Sequence, residues 1–161
     1  MTLPQIFVSG PSNSGKTTLI ERLVPRLRRC GLRVATVKHA HHGIELEPQG
    51  KDSWRHAQAG AEAVALVSPG RTVWILHTPQ ELPMQEAVGR MEGWADLVLI
   101  EGFKGAPGTR ILIAPGTGSR LAVHDQGCHL GVPAWELTEQ ELTQITEFCL
   151  TLARQALART P

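Results

Sequence analysis

The octapeptide Gly10-Pro11-Ser12-Asn13-Ser14-Gly15-Lys16-Thr17 fits the pattern GxxxxGK[ST] at every fixed position. Its surroundings fit as well. The apolar run Gln5–Ser9 reads as a strand entering the loop. The stretch Lys16–Cys30 reads as a helix leaving it, with Leu19, Ile20, Leu23 and Leu27 on one face. Gly10 and Gly15 supply backbone angles that let such a loop wrap a phosphate. Its N–H groups then point inward, and the helix N-terminus adds partial positive charge. Lys16 is expected to reach the β- and γ-phosphates, and Thr17 to set its hydroxyl on Mg²⁺. Ser12, Asn13, Ser14 and Thr18 complete the expected phosphate contacts. The plainer alternative is a glycine turn ahead of a helix, with Lys16 merely solvated; position and context together weigh against it.

The remaining pattern alternates short apolar strands with helical stretches, the sequence form of an α/β sheet. Pro25 should kink or split the first helix, and Gly31 should stop it. Arg33–Lys38 reads as a second strand, and His39–Gly50 as a loop or short hairpin. Asp52 or Ser53 is placed to cap a short helix running to about Ala59. Ala63–Val67 and Thr72–Leu76, joined by Ser68-Pro69-Gly70-Arg71, read as a hairpin that adds an antiparallel element to the sheet. Pro83–Met91 reads as a helix. Leu97–Ile100 has the continuous apolar character of a central strand. Arg110–Ala114 and Leu121–His124 follow as strands, separated by the turn Pro115–Ser119. Thr138, with Glu141 three residues on, forms a capping box that opens a last helix to about Ala158. The expected architecture is a P-loop NTPase sheet, mostly parallel, with helices on both faces. The chain contains no repeat or linker, so residues 1–161 are expected to form a single nucleotide-binding domain.

A phosphate loop needs an acidic group near its metal, at the carboxyl end of a neighbouring strand. Asp96-Leu97-Val98-Leu99-Ile100-Glu101-Gly102 offers Glu101 at that end, with Gly102 leaving space beside it. Asp96 lies at the other end, roughly 16 Å away. Glu101 is therefore the expected Mg²⁺ or water-positioning carboxylate; a charged strand terminus is the simpler reading.

Composition narrows the partners. Lys plus Arg (16) and Asp plus Glu (15) nearly cancel, which argues against a nucleic-acid footprint. No apolar run approaches the length of a membrane span, and the first residues lack the form of a signal peptide. Cys30, Cys128 and Cys149 are scattered without a CxxC pair, as expected of reduced thiols in a cytoplasmic protein. Lysine is scarce beside arginine: Lys16, Lys38, Lys51 and Lys104 are the only four, and each lies in a segment singled out on other grounds.

Four stretches, GPSNSGKTTL, GLRVATVKHAHHG, GKDSWRHAQAGA and ADLVLIEGFK, occur in that order across about two thirds of the chain. Together they resemble the MobB family of molybdopterin-guanine dinucleotide biosynthesis adapter proteins. That resemblance implies a homodimeric protein that binds GTP and hydrolyses it weakly. It also implies assistance to the molybdenum cofactor guanylyltransferase, which joins GMP to molybdopterin. Nucleic acid and membrane are not among the implied partners.

Other polar groups then acquire candidate roles. Lys38 with His39, His41 and His42 suits a cationic patch for a phosphate or pterin; a metal pair and a solvated loop are the other readings. Asp52 fits a switch residue near the nucleotide's metal or its water, and equally a helix cap. Arg55 fits a phosphate clamp or a surface group. Lys104 fits a charge partner for phosphate in the loop beyond Glu101, or a solvated lysine. An Asn-Lys-x-Asp guanine reader is absent, since Asn13 is the only asparagine. Asp125, ending the strand Leu121–His124 on the expected ligand edge, is the candidate carboxylate for guanine. Two alternative functions share the loop: a small-molecule kinase and a nickel-insertion type of GTPase.

Overall fold

The chain is described by a computed structural model that covers residues 3–40, 43–44 and 48–158. It divides into two compact units, residues 1–39 with 85–161, and residues 40–84.

The larger unit is built on a six-stranded sheet. In chain order its strands are β1 (Gln5–Ser9), β2 (Val34–Lys38), β5 (Leu97–Glu101), β6 (Arg110–Ile113), β7 (Leu121–His124) and β8 (Gly127–Leu130). In space they run β2-β5-β1-β6-β8-β7. Every pair is parallel except β7 with β8. Leu97, Val98, Leu99 and Ile100 are all fully buried. Successive strand residues face opposite sides, so both faces of β5 are covered, as its unbroken apolar sequence requires.

Helix α1 (Lys16–Arg29) lays Leu19, Leu23 and Leu27 into a core shared with Ile6, Val8, Leu97 and Leu99. The last helix, α4 (Glu139–Ala158), adds Leu142, Ile145, Cys149 and Ala153 to the same core and packs beside α1. Removing any of these leucines to alanine costs about 2–5 kcal/mol. Pro25 does not split α1: the assigned helix runs through it without a break. The capping box forms as its spacing predicts. Glu141 N–H donates to Thr138 Oγ1 at 3.2 Å, and Thr138 N–H donates to Glu141 at 2.8 Å.

Strand β8 was not expected from the sequence. Its four residues, Gly-Cys-His-Leu, carry little strand signal, and the two-residue connection Asp125-Gln126 is not a favoured hairpin turn. Cys128 and His129 lie within it.

The smaller unit holds α2 (Asp52–Gln58) and the hairpin β3 (Ala63–Ser68) and β4 (Arg71–Leu76). The hairpin forms around Pro69-Gly70 as expected, but as a two-stranded sheet of its own. The antiparallel pairing within the main sheet comes instead from β7. Helix α3 (Met84–Gly89) is shorter than the expected Pro83–Met91. No helix among the described residues is long and apolar enough to cross a membrane.

Candidate functional site

The glycine-rich loop leaves the end of β1 and enters α1. Asn13 (φ 57°) and Gly15 (φ 91°) adopt left-handed backbone angles within it. Successive N–H groups in such a loop make an anion-binding concavity. A β-carbon on Gly10 would fall 2.5 Å from Ile113 O, and one on Gly15 would fall 2.9 Å from Ala134 Cβ. Both positions therefore need glycine for space as well as for angle. The first turn of α1 contains no acidic residue and its cap makes no side-chain hydrogen bond. Its leading N–H groups and the helix dipole thus remain suited to an anion. Lys16 Nζ folds back over the loop, donating to Pro11 O at 2.6 Å and Gly10 O at 3.2 Å.

Three side chains from separate elements converge beside this loop. Thr17 Oγ1 donates to Glu101 Oε2 at 3.1 Å, and lies 3.3 Å from Oε1. Lys38 Nζ, at the end of β2, lies 3.5 Å from Glu101 Oε1. The register explains the meeting. Val8 and Lys38 both pair with Glu101 in the parallel ladder, so the ends of β1, β5 and β2 lie level. Glu101 has a side chain only 13% exposed, whereas that of Lys38 is 63% exposed. The residues fit Mg²⁺. Its ligands are oxygens at 2.0–2.1 Å in an octahedron, which places neighbouring oxygens about 2.9 Å apart. The hydroxyl and carboxylate oxygens are already within a few tenths of that spacing. No cluster of three His, Cys, Asp or Glu side chains able to hold a metal occurs among the described residues.

A wall of the loop escaped the sequence reading. After β8 the chain makes a single 3₁₀ turn, Ala134–Glu136. Ala134 N–H donates to Ser14 O at 3.2 Å. Arg22, on α1, fastens the turn with guanidinium hydrogen bonds to Ala134 O (2.9 Å) and Leu137 O (3.0 Å). Pro133 ahead of an apolar pair was a faint signal at best.

The other expected residues scatter. Asp52 is the first residue of α2 rather than its cap; the cap position falls to Lys51. Asp52 and Arg55 belong to the smaller unit. Lys104 is exposed in the turn beyond Glu101. His39 is held against that same segment: its N–H donates to Glu101 O at 2.9 Å and its ring stacks on Phe103 at 4.3 Å. A β-carbon on Gly102 would fall 2.8 Å from His39 Cβ, so the expected space beside Glu101 is filled by His39. His41 and His42 lie outside the described residues.

Asp125 does not reach the ligand edge. β7 runs antiparallel to β8, so its carboxyl end lies where β1, β5 and β6 begin, opposite the glycine-rich loop. The sequence pattern identified the strand but not its direction. Asp125 instead borders a cleft of 720 Å³ between β7 and α4 that contains no loop residue. Asp96 lies at the far end of β5, as expected. Arg33 binds it through the guanidinium (2.7 Å) and through the backbone N–H (2.8 Å). The guanidinium hydrogen bond holds the Asp96 carboxyl below the usual carboxylate range. Burial pushes the Cys128 thiol up to about 12 and that of Cys149 up as well. Both are poor candidates for nucleophiles.

Known proteins share the sequence and the fold. The family described as molybdopterin guanine dinucleotide synthesis protein B matches residues 5–127. A molybdopterin-guanine dinucleotide biosynthesis adapter protein of Haemophilus influenzae is 34% identical over 156 residues, covering 96% of this chain and 81% of the relative. The Escherichia coli protein of the same description is 36% identical over 122 residues, covering 73% and 70%. A solved structure of molybdopterin-guanine biosynthesis protein B superposes with a TM-score of 0.61 at 29% identity, covering 93% of this chain and 99% of that one.

Proposed function

The chain belongs to the molybdopterin guanine dinucleotide synthesis protein B family, and on that premise we propose that it is a GTP-binding adapter in molybdenum cofactor biosynthesis. It assists the guanylyltransferase that attaches GMP to molybdopterin, and it hydrolyses GTP slowly with Mg²⁺. The observation that carries the nucleotide reading is the meeting of Thr17 with Glu101 at the mouth of the glycine-rich loop. A hydroxyl at the start of a helix and a carboxylate ending the adjacent strand form a hard oxygen pair beside an anion-binding backbone.

Each residue has a defined task in this reading. The loop from Gly10 to Thr18 wraps the phosphates, and Lys16 exchanges its carbonyl partners for phosphate oxygens. Thr17 and Glu101 hold the metal, which screens phosphate charge when bound. Lys38 and Lys104 supply positive charge around the same edge. Asp52 keeps its candidate role as a switch residue of the family's kind. Residues 1–161 serve one nucleotide-binding function, in the cytoplasm.

The same reading includes a homodimer. The hairpin exposes Leu66, Val67 and Trp74, with Val67 78% and Trp74 72% accessible. A second chain covering those side chains takes that apolar surface out of water. Sedimentation would measure this directly, and a monomer at micromolar concentration argues against it.

Calorimetric titration of the full chain with GTP and ATP, with and without Mg²⁺, tests the central claim. Binding of GTP that tightens with Mg²⁺ and exceeds ATP is the expected result. No nucleotide binding under either condition overturns it.

A further inference from the structure

We propose that Trp135 is the surface on which the nucleotide's base stacks, so that the turn after β8 forms the base subsite. This rests on the nucleotide reading of the glycine-rich loop and adds the part of that site which Asp125 cannot supply.

Trp135 touches the loop. A β-carbon on Gly15 would lie 3.1 Å from Trp135 Cε3. Gly15 immediately precedes Lys16 and Thr17, so the indole stands within one nucleoside's length of the expected phosphates. It is on the correct edge, because β8 is parallel to β6 and β6 to β1, and the turn follows the carboxyl end of β8. Ligands of open α/β sheets bind outside that edge.

The turn is fixed, yet the indole is not buried. Arg22 grips Ala134 O and Leu137 O, and Arg120 donates to Glu136 O at 2.8 Å. Ala134 is fully buried, Leu137 nearly so, and Ala134 N–H is bonded to the loop itself. Trp135, between them, is 55% exposed. A large aromatic side chain normally dominates burial wherever it can pack. Here a rigid backbone holds it out beside an anion-binding loop. Trp94, also exposed, stands before the start of β5, at the opposite end of the sheet.

A flat π surface next to a phosphate site is complementary to a nucleobase. Stacking is tolerant of base identity because every base has a π face. Trp135 therefore supplies affinity for the nucleoside half, for adenine as well as guanine, and does not choose between them.

The test compares GTP, ATP and inorganic tripolyphosphate, each with Mg²⁺, by calorimetry on the wild-type chain and on Trp135→Ala, Trp135→Leu and Trp135→Phe. Trp135→Ala should lose affinity for both nucleotides on the order of tenfold, with tripolyphosphate affinity unchanged. Trp135→Leu, which keeps apolar bulk without a π face, should behave alike, and it decides the matter if the alanine variant does not fold. Trp135→Phe should recover most of the loss. Equal loss for nucleotides and tripolyphosphate overturns the inference, since the residue then only props the loop. Undiminished GTP affinity in Trp135→Ala also overturns it and leaves the indole as a contact for a protein partner. A wild-type chain that binds neither GTP nor tripolyphosphate removes the loop reading itself, a pattern distinct from both.

Discussion

Thr17, in the first turn of α1, and Glu101, at the end of β5, are joined by a hydrogen bond of 3.1 Å although 84 positions separate them in the chain. Their oxygens are thereby held near the spacing of adjacent ligands on a small divalent cation. Replacing Glu101 with Gln keeps the shape and removes the charge. The variant should lose Mg²⁺-dependent GTP affinity while metal-free binding falls much less. Titrations with Mg²⁺ and with EDTA measure the two; equal loss in both would mean that Glu101 acts through the fold.

Lys16→Ala should weaken GTP binding at least tenfold, since a hydrogen bond to a charged group contributes about 1.5–3 kcal/mol. The fold should persist, because among the described residues Lys16 Nζ bonds only to carbonyls of its own loop, Gly10 O and Pro11 O. Circular dichroism and calorimetry on one sample separate these effects. Full retention of GTP affinity in a folded variant is the adverse result.

Asp125→Asn should leave GTP and ATP affinities unchanged, in size and in order. The residue lies at the β7–β8 turn, at the end of the sheet remote from the glycine-rich loop. Improved binding of xanthosine triphosphate by this variant would contradict the placement.

Glu141 links the fold to pH. The hydrogen bond from Arg120 and those from Thr138 hold its carboxyl at about 2, against an ordinary 4.5. A carboxylate with a depressed folded-state value stabilises the protein above its unfolded value and loses that contribution as pH falls through the folded one. The window therefore runs from about pH 4.5 down to about 2. Glu141→Gln should be less stable by about 1–2 kcal/mol at neutral pH. Urea melts should show its deficit against the wild type shrinking across that acid window. A deficit that does not change with pH would place the effect in packing.

Much of this site was legible in the sequence because it depends on local chemistry. The glycine-rich loop, the helix behind it and the box at Thr138 are set by residues within a few positions of one another. Glu101 was also legible, since a buried strand has only two ends and only one faces the loop. Asp125 was misplaced because strand direction is decided by long-range pairing, which leaves no local mark on Leu121–His124. Trp135 was overlooked for a related reason: its meaning comes from Gly15, which adjoins it only after β8 has joined the sheet. Asp52 and Ser53 both suit a cap by residue type, yet the cap position falls to Lys51, because residue type does not say where the helical angles begin.

The crossover between β2 and β5 carries the entire smaller unit, residues 40–84, yet sets Lys38 opposite Glu101 in register. Each doubling of a loop costs only about 0.6 kcal/mol of closure entropy. Equilibrium stability is thus nearly indifferent to how much chain is inserted there. Folding speed is not, because the β2–β5 pairing must wait for a distant encounter. A lineage can lengthen, shorten or replace that insertion under selection for new partners while the residues at the strand ends stay in place. The price is kinetic: a slower search during which the facing edges of β2 and β5 stand open to other chains.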